Sequence, residues 1–449
     1  MGNFFGTDGV RGIANQELSC ELAIKIGKAA AQVLTGDCGH RAKILIGKDT
    51  RLSSDMLESA LLSGICSVGA VAISLGIVPT PAVAYLVKKY GADAGIMISA
   101  SHNSFEFNGI KLFDNNGYKL PDDIEDKIED LILNPQKIIL PKDYAKIGQI
   151  IRNENAIEDY TDYIASTSTY IDKSLKIAVD CANGSASVTA KLLFQKLGLS
   201  ADILYSNPDG ININKNCGST SLENLITYVK ENRYDLGIAF DGDADRCLMV
   251  DDSGNIIDGD SIVAICAKDM QSEGKLKNNA LVGTIMSNLG LKRFCKQNGI
   301  NFSETKVGDR YVLERMKKEN YVIGGEQSGH VIFLDYLATG DGELTAVQFL
   351  NVLSKSKQKA SELNKLIKKY PQKSGAVNIK ANQKGLLSKN AVISEFIKNK
   401  NKELGERGRL IVRESGTEPK IRIMAEFDDE KFLQDLLQEA KKIISENIN

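Results

Sequence analysis

Short runs of apolar and β-branched residues alternate with amphipathic helical patterns over most of the chain. The predicted strands lie at 42–47, 93–100, 175–181, 235–241, 280–286 and 321–325. The predicted helices lie at 22–35, 122–133, 186–196, 259–272 and 308–319. Because strands and helices alternate in this way in βαβ units, the pattern predicts α/β domains whose sheets are largely parallel.

The pattern changes after the lysine-rich stretch at 366–375. A small α+β domain with an antiparallel sheet is predicted beyond it, from "GAVNI", a helix near 386–400, "GRLIVRES", "KIRIMAEF" and a last helix from about 429. Polar stretches near 150–156 and 251–255 mark two further boundaries. The predicted domains are 1–153, 154–254, 255–368 and 369–449.

A chain of 449 residues exceeds the size at which one hydrophobic core stops growing, which agrees with several domains. Hydrophobic residues at 43% and charged residues at 25% indicate packed cores. The net charge of -2 argues against binding of nucleic acid or membrane surfaces through bulk charge. No apolar stretch reaches the ~18 residues of a membrane span. Eight scattered cysteines without C-x-x-C spacing predict reduced thiols and a cytoplasmic location.

Polar loops follow several predicted strands. In open α/β sheets the ligand crevice lies outside the carboxyl ends of the strands, so these loops are the candidate functional segments. One loop is predicted in each domain: "SASHN" (99–103), "DGDADR" (241–246), "GGEQSGH" (324–330) and "RESGTEP" (413–419).

The acidic loop places Asp241, Asp243 and Asp245 alternately with small residues, which lets three carboxylates converge. Carboxylates about 4 Å apart repel by about 4 kcal/mol at an effective dielectric of about 20, so a hard cation such as Mg²⁺ is the natural counter-charge. An EF-hand is excluded, because Arg246 stands where that loop needs glycine and Asp252 where it needs glutamate. The alternative is a solvated acidic turn.

The C-terminal loop has the opposite polarity. Guanidinium forks, hydroxyls and a close backbone N–H suit a phosphate, and they are offered by Arg413, Ser415, Gly416, Thr417 and Arg422. The alternative is a simple turn between two strands.

The glycine-rich loop at 324–330 mixes groups that suit the hydroxyls and amine of a sugar: Glu326, Gln327, Ser328 and His330. A lone histidine is more often structural than catalytic. This chain has only three histidines, however, and both His102 and His330 fall in the candidate loops. Asp309 and Arg310 are added by the nearby "KVGDRYV".

Two nucleophile models compete for Ser101. A serine hydrolase needs a G-x-S-x-G elbow, whereas Ser99 and Asn103 stand at the glycine positions, and His102 is too close in sequence to serve as base. A phosphoryl carrier fits better, since a phosphoserine of about -1.5 to -2 charge would be balanced by a cation and by donors such as Lys111. The third alternative is a capping serine at the end of a strand.

These motifs, in this order, resemble the α-D-phosphohexomutase superfamily over nearly the whole chain. The resemblance rests on "FFGTDGVRG" (4–12), "GKDTR" (47–51), "VPTPAVAYL" (78–86), "ISASHN", "NGIKLF" (108–113), "VDCANGSAS" (179–187), "DGDADR", "VGDRYV", "GGEQSGH" and "RESGTEPKIR" (413–422). "PDGININKNCGST" (208–220) and Gln327 are similar to the glucosamine branch. Ser104 and Ser221 depart from the usual Pro and His.

The resemblance implies three related α/β domains with mixed sheets around a central cleft, and a C-terminal domain similar to the TATA-binding-protein fold. It implies an isomerase of amino-sugar and cell-wall precursor synthesis that interconverts glucosamine 6-phosphate and glucosamine 1-phosphate through a phosphoserine and a 1,6-bisphosphate intermediate. Glucose or glucosamine 1,6-bisphosphate would prime it. A small amino-sugar phosphate is the expected partner, without nucleic acid or membrane, and a homodimer is possible.

The resemblance also implies roles for individual residues. Ser101 carries the phosphate and, through it, joins Asp241, Asp243 and Asp245 around one Mg²⁺. Proton transfer and charge compensation fall to Lys111, His330 and Arg11 in that order, with His102 as a positioning or donor group. The remaining roles are sugar binding by Gly325, Glu326, Gln327, Ser328, Asp309 and Arg310, phosphate binding by Arg413, Ser415, Gly416, Thr417 and Arg422, and charge support by Arg246 and Asn103.

Three other functions stay open on the sequence alone. A phosphomannomutase or phosphoglucomutase of the same superfamily would differ only in substrate. A Mg²⁺-dependent phosphatase or serine hydrolase would release phosphate or cleave an ester without forming an isomer. A non-catalytic sugar-phosphate sensor would have lost a catalytic group, whereas Ser101, Lys111 and the three aspartates are all present.

Overall fold

The computed structural model describes residues 4–6, 9–36, 39–383, 385–415 and 419–448. The chain divides into two compact units. The first comprises Met1–Thr284 and Ser303–Leu366, and the second comprises Ile285–Phe302 and Ile367–Asn449.

The first sheet has seven strands in the order β1-β2-β6-β5-β3-β4-β7. These strands are β1 (Phe5–Gly6), β2 (Gly9–Ile13), β3 (Lys43–Lys48), β4 (Val71–Ile77), β5 (Ala94–Ile98), β6 (Phe107–Phe113) and β7 (Ile150–Arg152). Its helices are α1 (Cys20–Thr35), α2 (Leu52–Ser67), α3 (Thr80–Lys89) and α4 (Asp122–Leu133). The strands β3, β4, β5 and β7 are parallel, whereas β6 returns antiparallel to β5.

The second sheet has five strands in the order β12-β11-β10-β8-β9. They are β8 (Ile177–Asp180), β9 (Ala201–Leu204), β10 (Leu236–Phe240), β11 (Cys247–Asp251) and β12 (Ile256–Ile257). The helices of this region are α5 (Ala156–Ser166), α6 (Ala190–Lys196) and α7 (Glu223–Asn232). The predicted helix at 186–196 is wrong in its first turn, where Ser185–Ser187 form a separate 3₁₀ turn before α6 begins.

The third sheet has four strands in the order β14-β13-β15-β16. They are β13 (Ala280–Thr284), β14 (Asn301–Thr305), β15 (Ile323–Gly325) and β16 (Val331–Phe333). The helices from this part of the chain are α8 (Gly259–Ser272), α9 (Leu289–Gln297), α10 (Asp309–Glu319), α11 (Gly342–Ser356) and α12 (Ala360–Asn364), of which α9 belongs to the second unit.

The second unit contains an antiparallel sheet in the order β17-β19-β18. Its strands are β17 (Gln372–Asn378), β18 (Gly408–Glu414) and β19 (Lys420–Phe427), and its helices after α9 are α13 (Ala391–Leu404) and α14 (Glu430–Ile448). Buried side chains of α13, β19 and α14 form one core, including Ile393, Ile421 and Leu433. The predicted fold class, mixed α/β sheets followed by a C-terminal α+β domain, is confirmed.

The pairing of neighbouring strands fixes the positions at which three of the candidate loops begin and end. In the β5–β6 pair Met97 lies opposite Lys111, so Lys111 returns to the end of β5 that leads to Ser101. Phe240 lies opposite Cys247 in the β10–β11 hairpin, and the acidic loop closes it. The β15–β16 hairpin is closed in the same way by residues 326–330. Antiparallel register therefore determines where three of the polar loops lie.

The helices α1 and α2 cross closely because glycines lie at their contact. A Cβ on Gly64 would lie 2.4 Å from the carbonyl oxygen of Ile24, and one on Gly27 would lie 2.8 Å from that of Leu61. These contacts are with backbone, which cannot rotate away. The helices pack on the sheet that carries Ser101.

No helix in the described ranges combines the length and the apolar composition that a bilayer span requires.

The close helix crossing makes Gly64→Ala a test of the packing. The added methyl group should destabilise the first unit by about 1–3 kcal/mol, because overpacking forces the helices apart. Urea denaturation followed by circular dichroism measures the loss. The control is Ser63→Ala on the exposed face of α2, which should leave the midpoint unchanged or slightly raised, since alanine favours helix. Equal midpoints for both variants would contradict the packing argument.

Candidate active site

Ser101 follows β5 and is buried, with 1% of its surface exposed. Its Oγ donates a hydrogen bond to Asp241 Oδ2 over 2.7 Å. Its backbone φ is 52°, in the left-handed region that non-glycine residues seldom occupy. Strained residues of this kind persist only where the surroundings hold them, and they cluster at functional sites. The loop therefore delivers the hydroxyl to a carboxylate at a structural cost.

The three aspartates of the acidic loop converge in the same buried place. Oxygen atoms of Asp241, Asp243 and Asp245 lie within 4.8 Å of one another. Within the described residues, Asp243 Oδ1 and Asp245 Oδ1 are buried without a hydrogen-bond partner. A buried carboxylate oxygen without a partner is costly, and hard divalent cations bind such oxygens. The residues present therefore fit Mg²⁺, and the acidic loop is not a solvated turn.

Two basic side chains compensate part of this charge. Lys111 Nζ lies 2.7 Å from Asp243 Oδ2 and 3.3 Å from Asp245 Oδ2. The Nε atom of Arg246 lies 4.0 Å from Asp241 Oδ2 and 3.8 Å from Asp245 Oδ1. Three carboxylates thus face two permanently charged side chains, so positive charge is insufficient unless His330, 3.8 Å from Asp245, is also protonated.

The deficit of positive charge falls on Asp241. Burial, with the negative charges of Asp245 and Asp243, raises the pKa of the Asp241 carboxyl. Burial also disfavours ionised Asp245, but Lys111, His330 and Arg246 outweigh it and hold the pKa of Asp245 well below its usual range. A cation held by the three aspartates would supply the missing charge beside Ser101.

His102 lies next to the Ser101 hydroxyl, and the charge of Arg11 acts on the imidazole. The Nδ1 atom of His102 is 3.3 Å from Ser101 Oγ. Burial lowers the pKa of His102 to about 4, and the charges of Arg246 and Arg11 act in the same direction. The imidazole is therefore neutral at neutral pH, which suits the predicted positioning or donor role. Arg11 stands on β2 opposite Gly109 of β6, in the sheet that carries Ser101.

His330 joins the aspartate cluster from the glycine-rich loop. Its Nδ1 lies 3.8 Å from Asp245 Oδ2, and its Nε2 lies 3.6 Å from Asp309 Oδ2. The backbone N–H of Gly340 donates to Nε2 over 3.2 Å, which favours the tautomer with its proton on Nδ1, toward Asp245. Burial lowers the pKa of His330, but Asp245 and Asp309 outweigh burial and raise it.

The predicted sugar-binding residues separate into two groups. Glu326 Oε1 accepts from the Gly308 N–H over 3.0 Å, and Ser328 is exposed. Gln327 lies against Asp258, with Nε2 3.5 Å from Oδ2. Gly325, at the end of β15, pairs with Val331. These four stay together on one hairpin.

Asp309 and Arg310 begin α10 and form ion pairs. Lys119 Nζ donates to Asp309 Oδ2 over 2.5 Å. The Arg310 guanidinium bonds to Asp122 and, over 3.1 Å, to Glu314. Arg310 thus links α10 to α4, and its predicted role in sugar binding stays a prediction.

The C-terminal loop belongs to the second unit. Arg413 of β18 and Arg422 of β19 lie directly opposite each other, and Arg422 Nε is 3.5 Å from Ser415 Oγ. Like charges on facing positions of a strand pair are unfavourable without an anion. Arg413, Arg422 and Ser415 are therefore brought together as predicted, whereas Gly416 and Thr417 lie outside the described residues.

The structure adds two residues to which the sequence analysis gave no role. Arg51 Nη2 donates to the carbonyl oxygens of Ser101 and Asn103, each over 2.9 Å. Thr80 Oγ1 donates to Asp243 Oδ2 over 2.6 Å. Both residues lie in quoted family motifs at strand ends, and that position was the available signal. Asn103 contributes its backbone carbonyl oxygen, which accepts the hydrogen bond from Arg51.

A second acidic layer lies behind the aspartates, at the start of α11. The Gly342 N–H donates to the Ala244 carbonyl over 2.9 Å and so holds the acidic loop. Tyr160 donates to Asp341 Oδ2 over 2.9 Å, and Thr189 donates to Glu343 Oε1 over 2.6 Å. Burial raises the pKa of Asp341 to about 7 and that of Glu343 to about 8. These carboxyls support the loop largely without adding charge.

The buried serine, carboxylates and lysine suit the transfer of a phosphoryl group. Models described as phosphoglucomutase/phosphomannomutase alpha/beta/alpha domains I, II and III match residues 2–138, 158–254 and 258–370, and the C-terminal domain of that family matches 350–443. The chain belongs to the phosphoglucomutase/phosphomannomutase family, within the α-D-phosphohexomutase superfamily predicted from its motifs.

Curated relatives match over the whole chain. Proteins named phosphoglucosamine mutase from Acetivibrio thermocellus and from Clostridium novyi are each 50% identical over 449 residues, which is 100% of both chains. Among solved structures, a phosphoglucomutase/phosphomannomutase family protein from Burkholderia thailandensis matches with a TM-score of 0.83 and 22% identity, covering 99% of this chain and 97% of that one. The structure shares the fold of this family.

Lys111 should contribute strongly to the stability of the fold, because its ammonium group lies against two of the three buried aspartates. Removing one partner of a buried charge cluster costs about 3–5 kcal/mol, so Lys111→Met should lower the melting temperature strongly. Added Mg²⁺ should raise the melting temperature of this variant more than that of the wild type, because the cluster then lacks one positive charge. Differential scanning calorimetry with and without Mg²⁺ measures both effects.

The control is Lys137→Met, which removes an exposed ion pair with Asp130 and should change stability by about 1 kcal/mol or less. The charge argument would be wrong if Mg²⁺ stabilised both variants equally.

Glu343 should make stability depend on pH. Its folded pKa of about 8 exceeds the ordinary glutamate value of 4.5, so the folded state holds a proton that the unfolded state releases. Stability from this group is full below pH 4.5 and is lost as the pH rises through about 8. In Glu343→Gln the fall of the melting temperature over this range should be smaller. Glu231→Gln, on the exposed face of α7, is the control and should follow the wild type; equal slopes for all three proteins would refute the assignment.

Proposed function

We propose that this protein interconverts glucosamine 6-phosphate and glucosamine 1-phosphate, with Ser101 as the phosphate carrier and a 1,6-bisphosphate as the intermediate. One observation carries the proposal. The buried Ser101 hydroxyl lies 2.7 Å from Asp241, in a cluster that also contains Asp243, Asp245 and Lys111. A hydroxyl that bonds to one of three clustered carboxylates suits phosphorylation with a bound cation.

The amino sugar is supported by the relatives. Those from Acetivibrio thermocellus and Clostridium novyi carry the name of this activity and match every part of the chain at 50% identity. Gln327 and the segment 208–220 were already similar to this branch of the superfamily. Mannose and glucose phosphates are the competing substrates within the family.

The proposed chemistry balances as two phosphoryl transfers. In the first, the P–O bond at Ser101 Oγ breaks and Oγ takes up a proton, while a P–O bond forms at the free hydroxyl of the substrate, which loses its proton. The resulting bisphosphate reorients. In the second, the P–O bond of its other phosphate breaks and the sugar oxygen takes up a proton, while a P–O bond forms again at Ser101 Oγ, which loses its proton. Since each transfer passes through the same serine, one reaction centre serves both half-reactions.

A proton path is available beside the serine. Lys111 Nζ and His330 Nδ1 share Asp245 Oδ2, at 3.3 Å and 3.8 Å. A proton from the substrate hydroxyl can therefore be held at Lys111 or His330 with Asp245 stabilising the charge. The order Lys111, His330, Arg11 stays a prediction.

Mg²⁺ would be held by Asp241, Asp243 and Asp245 together with the phosphate on Ser101, and it supplies charge stabilisation for the moving phosphoryl group. Thr80 Oγ1 and Lys111 Nζ both donate to Asp243 Oδ2, and these hydrogen bonds hold the Asp243 carboxylate in place.

The substrate ends are assigned to separate loops. Glu326 and Ser328 would bind sugar hydroxyls. In the second unit, Arg413, Arg422 and Ser415, with Gly416 and Thr417 outside the described residues, would hold the phosphate that is not reacting. Two facing arginines suit a dianion because each guanidinium offers a planar fork of donors.

The reduced state of the cysteines supports a cytoplasmic location. The seven cysteines in the described part of the chain form no disulfide, as suits the reducing cytoplasm. A cytoplasmic location is therefore part of the proposal, and a homodimer stays a prediction.

Ser101→Ala tests the carrier. Purified protein given glucosamine 6-phosphate, Mg²⁺ and a trace of glucose 1,6-bisphosphate should form glucosamine 1-phosphate, and the variant should form none, because no other group takes the phosphate. Product formation is followed by phosphorus NMR. Mass spectrometry should find one phosphate on the Ser101 peptide of the wild type only.

Ser104→Ala, an exposed serine in the same loop, is the control and should retain activity. Full activity of Ser101→Ala would refute the carrier. Faster turnover of mannose or glucose 6-phosphate would overturn the amino-sugar assignment, and release of inorganic phosphate without an isomer would indicate a phosphatase.

A further inference from the structure

Asn214 reaches the Ser101 loop from the segment before α7. Its Nδ2 donates to the carbonyl oxygen of Ser101 over 2.9 Å and to that of Asn103 over 3.0 Å. Arg51 Nη2 donates to the same two oxygens. We propose that Asn214 is a positioning residue, which together with Arg51 forms a carbonyl clamp that fixes the backbone of Ser101 for phosphoryl transfer. This inference rests on the proposed function.

The clamp acts on the strained part of the loop. Ser101 has a φ of 52°, and its carbonyl direction follows from that unusual backbone. Donors on the carbonyl oxygens of Ser101 and Asn103 hold both ends of the turn between them. The Oγ direction depends on the same backbone, so the clamp sets the 2.7 Å contact of Ser101 Oγ with Asp241. Among the described residues, Asn214 is hydrogen-bonded to neither Ser101 Oγ nor an aspartate of the acidic loop.

The amide of Asn214 can face the loop in only one orientation. An NH₂ group carries two hydrogens, and the two carbonyl oxygens take both. Its Oδ1 is buried and has no hydrogen-bond partner among the residues that the structure describes. A carboxylate has the same shape but would place an acceptor against two acceptors. The contact therefore requires the amide rather than merely a polar side chain.

Asn214 is held firmly enough to serve as a clamp. Its N–H donates to the Ala182 carbonyl over 2.8 Å, and its neighbour Ile213 is 2% exposed. A Cβ on Gly242 would lie 2.8 Å from Asn214 Nδ2 and 2.6 Å from the Ser101 carbonyl oxygen. The acidic loop, the Ser101 loop and Asn214 thus meet at one point, where only glycine fits.

The two halves of the clamp come from different sheets. Arg51 stands between β3 and α2 and is oriented by Asp49, 2.8 Å from its Nε. Asn214 comes from the connection after β9, in the sheet whose hairpin carries the aspartates. Since each side donates to the same carbonyls, the clamp couples the position of the phosphate carrier to that of the aspartates.

Asn214→Asp tests the inference on the full chain. Ser101 is first phosphorylated with glucose 1,6-bisphosphate, and transfer to glucosamine 6-phosphate is then followed in a single turnover by mass spectrometry of the Ser101 peptide. We expect the transfer rate to fall on the order of 100-fold, as for a reacting group displaced by about 1 Å. The KM for glucosamine 6-phosphate should stay at the wild-type value, whereas the melting temperature of Asn214→Asp should fall, because its carboxylate faces two carbonyl oxygens.

Asn216→Asp is the matched control. It makes the same change two residues away, at an exposed position with the same left-handed backbone, φ 55° against 59°. It should transfer phosphate at the wild-type rate. Should Asn214→Asp not fold, Asn214→Ala is measured in the same way, since it removes the donors without adding a charge.

The outcomes separate this inference from the proposed function. A wild type that transfers no phosphate refutes the function. A wild type that transfers, with folded Asn214 variants that transfer equally fast, overturns the clamp. Equal losses in Asn214→Asp and Asn216→Asp would also overturn it, because the effect would then belong to charge in the segment rather than to the two hydrogen bonds.

Discussion

The burial of three carboxylates in one place is the constraint to which the rest of the site responds. At separations within 4.8 Å, each pair repels by about 3–4 kcal/mol at an effective dielectric of about 20. Lys111 and Arg246 offset part of this repulsion, and Thr80 binds one oxygen. The remaining deficit lies beside Ser101. The folded chain thus keeps an electrostatic demand for a cation at the point where a phosphate would add further negative charge.

The Ser101 loop and the acidic loop, which bring these groups together, each contain a strained backbone position. Ser101 and Ala244, one in each of the facing loops, both have left-handed φ values, 52° and 54°. The Ala244 carbonyl accepts from the Gly342 N–H, and the Ser101 carbonyl accepts from Arg51 and Asn214. In both loops, therefore, the strained turn is held by donors on its carbonyl oxygen. The side chains carry out the chemistry, and hydrogen bonds to the backbone carbonyl oxygens fix the directions in which those side chains point.

The difference between side-chain and backbone partners explains which site residues the sequence could predict. Ser101 and the three aspartates lie at the ends of predicted strands, and short apolar runs were enough to place them there. Lys111 lies inside β6, a strand that was not predicted. The roles of Arg51 and Asn214 were missed because their acceptors are backbone carbonyls, which every residue has and no motif reveals. The pairing of Arg310 with Asp122 was missed for another reason, since it joins residues from different predicted domains. The first turn of the helix at 186–196 was wrong because periodicity does not distinguish a 3₁₀ turn from α-helix.

The carboxyls of the second acidic layer add little negative charge to the site. Asp341 and Glu343 are buried behind the acidic loop, and burial raises their pKa values to about 7 and about 8. Were they fully ionised, they would deepen the repulsion that Lys111 and Arg246 already fail to cancel. Protonated carboxyls still accept from Tyr160 and Thr189, so they keep their hydrogen bonds without much of the charge. In the first layer Lys111, His330 and Arg246 outweigh burial and hold the pKa of Asp245 low, whereas burial and the neighbouring carboxylates raise the pKa of Asp241 to about 8. The largely neutral second layer adds little further repulsion to this cluster.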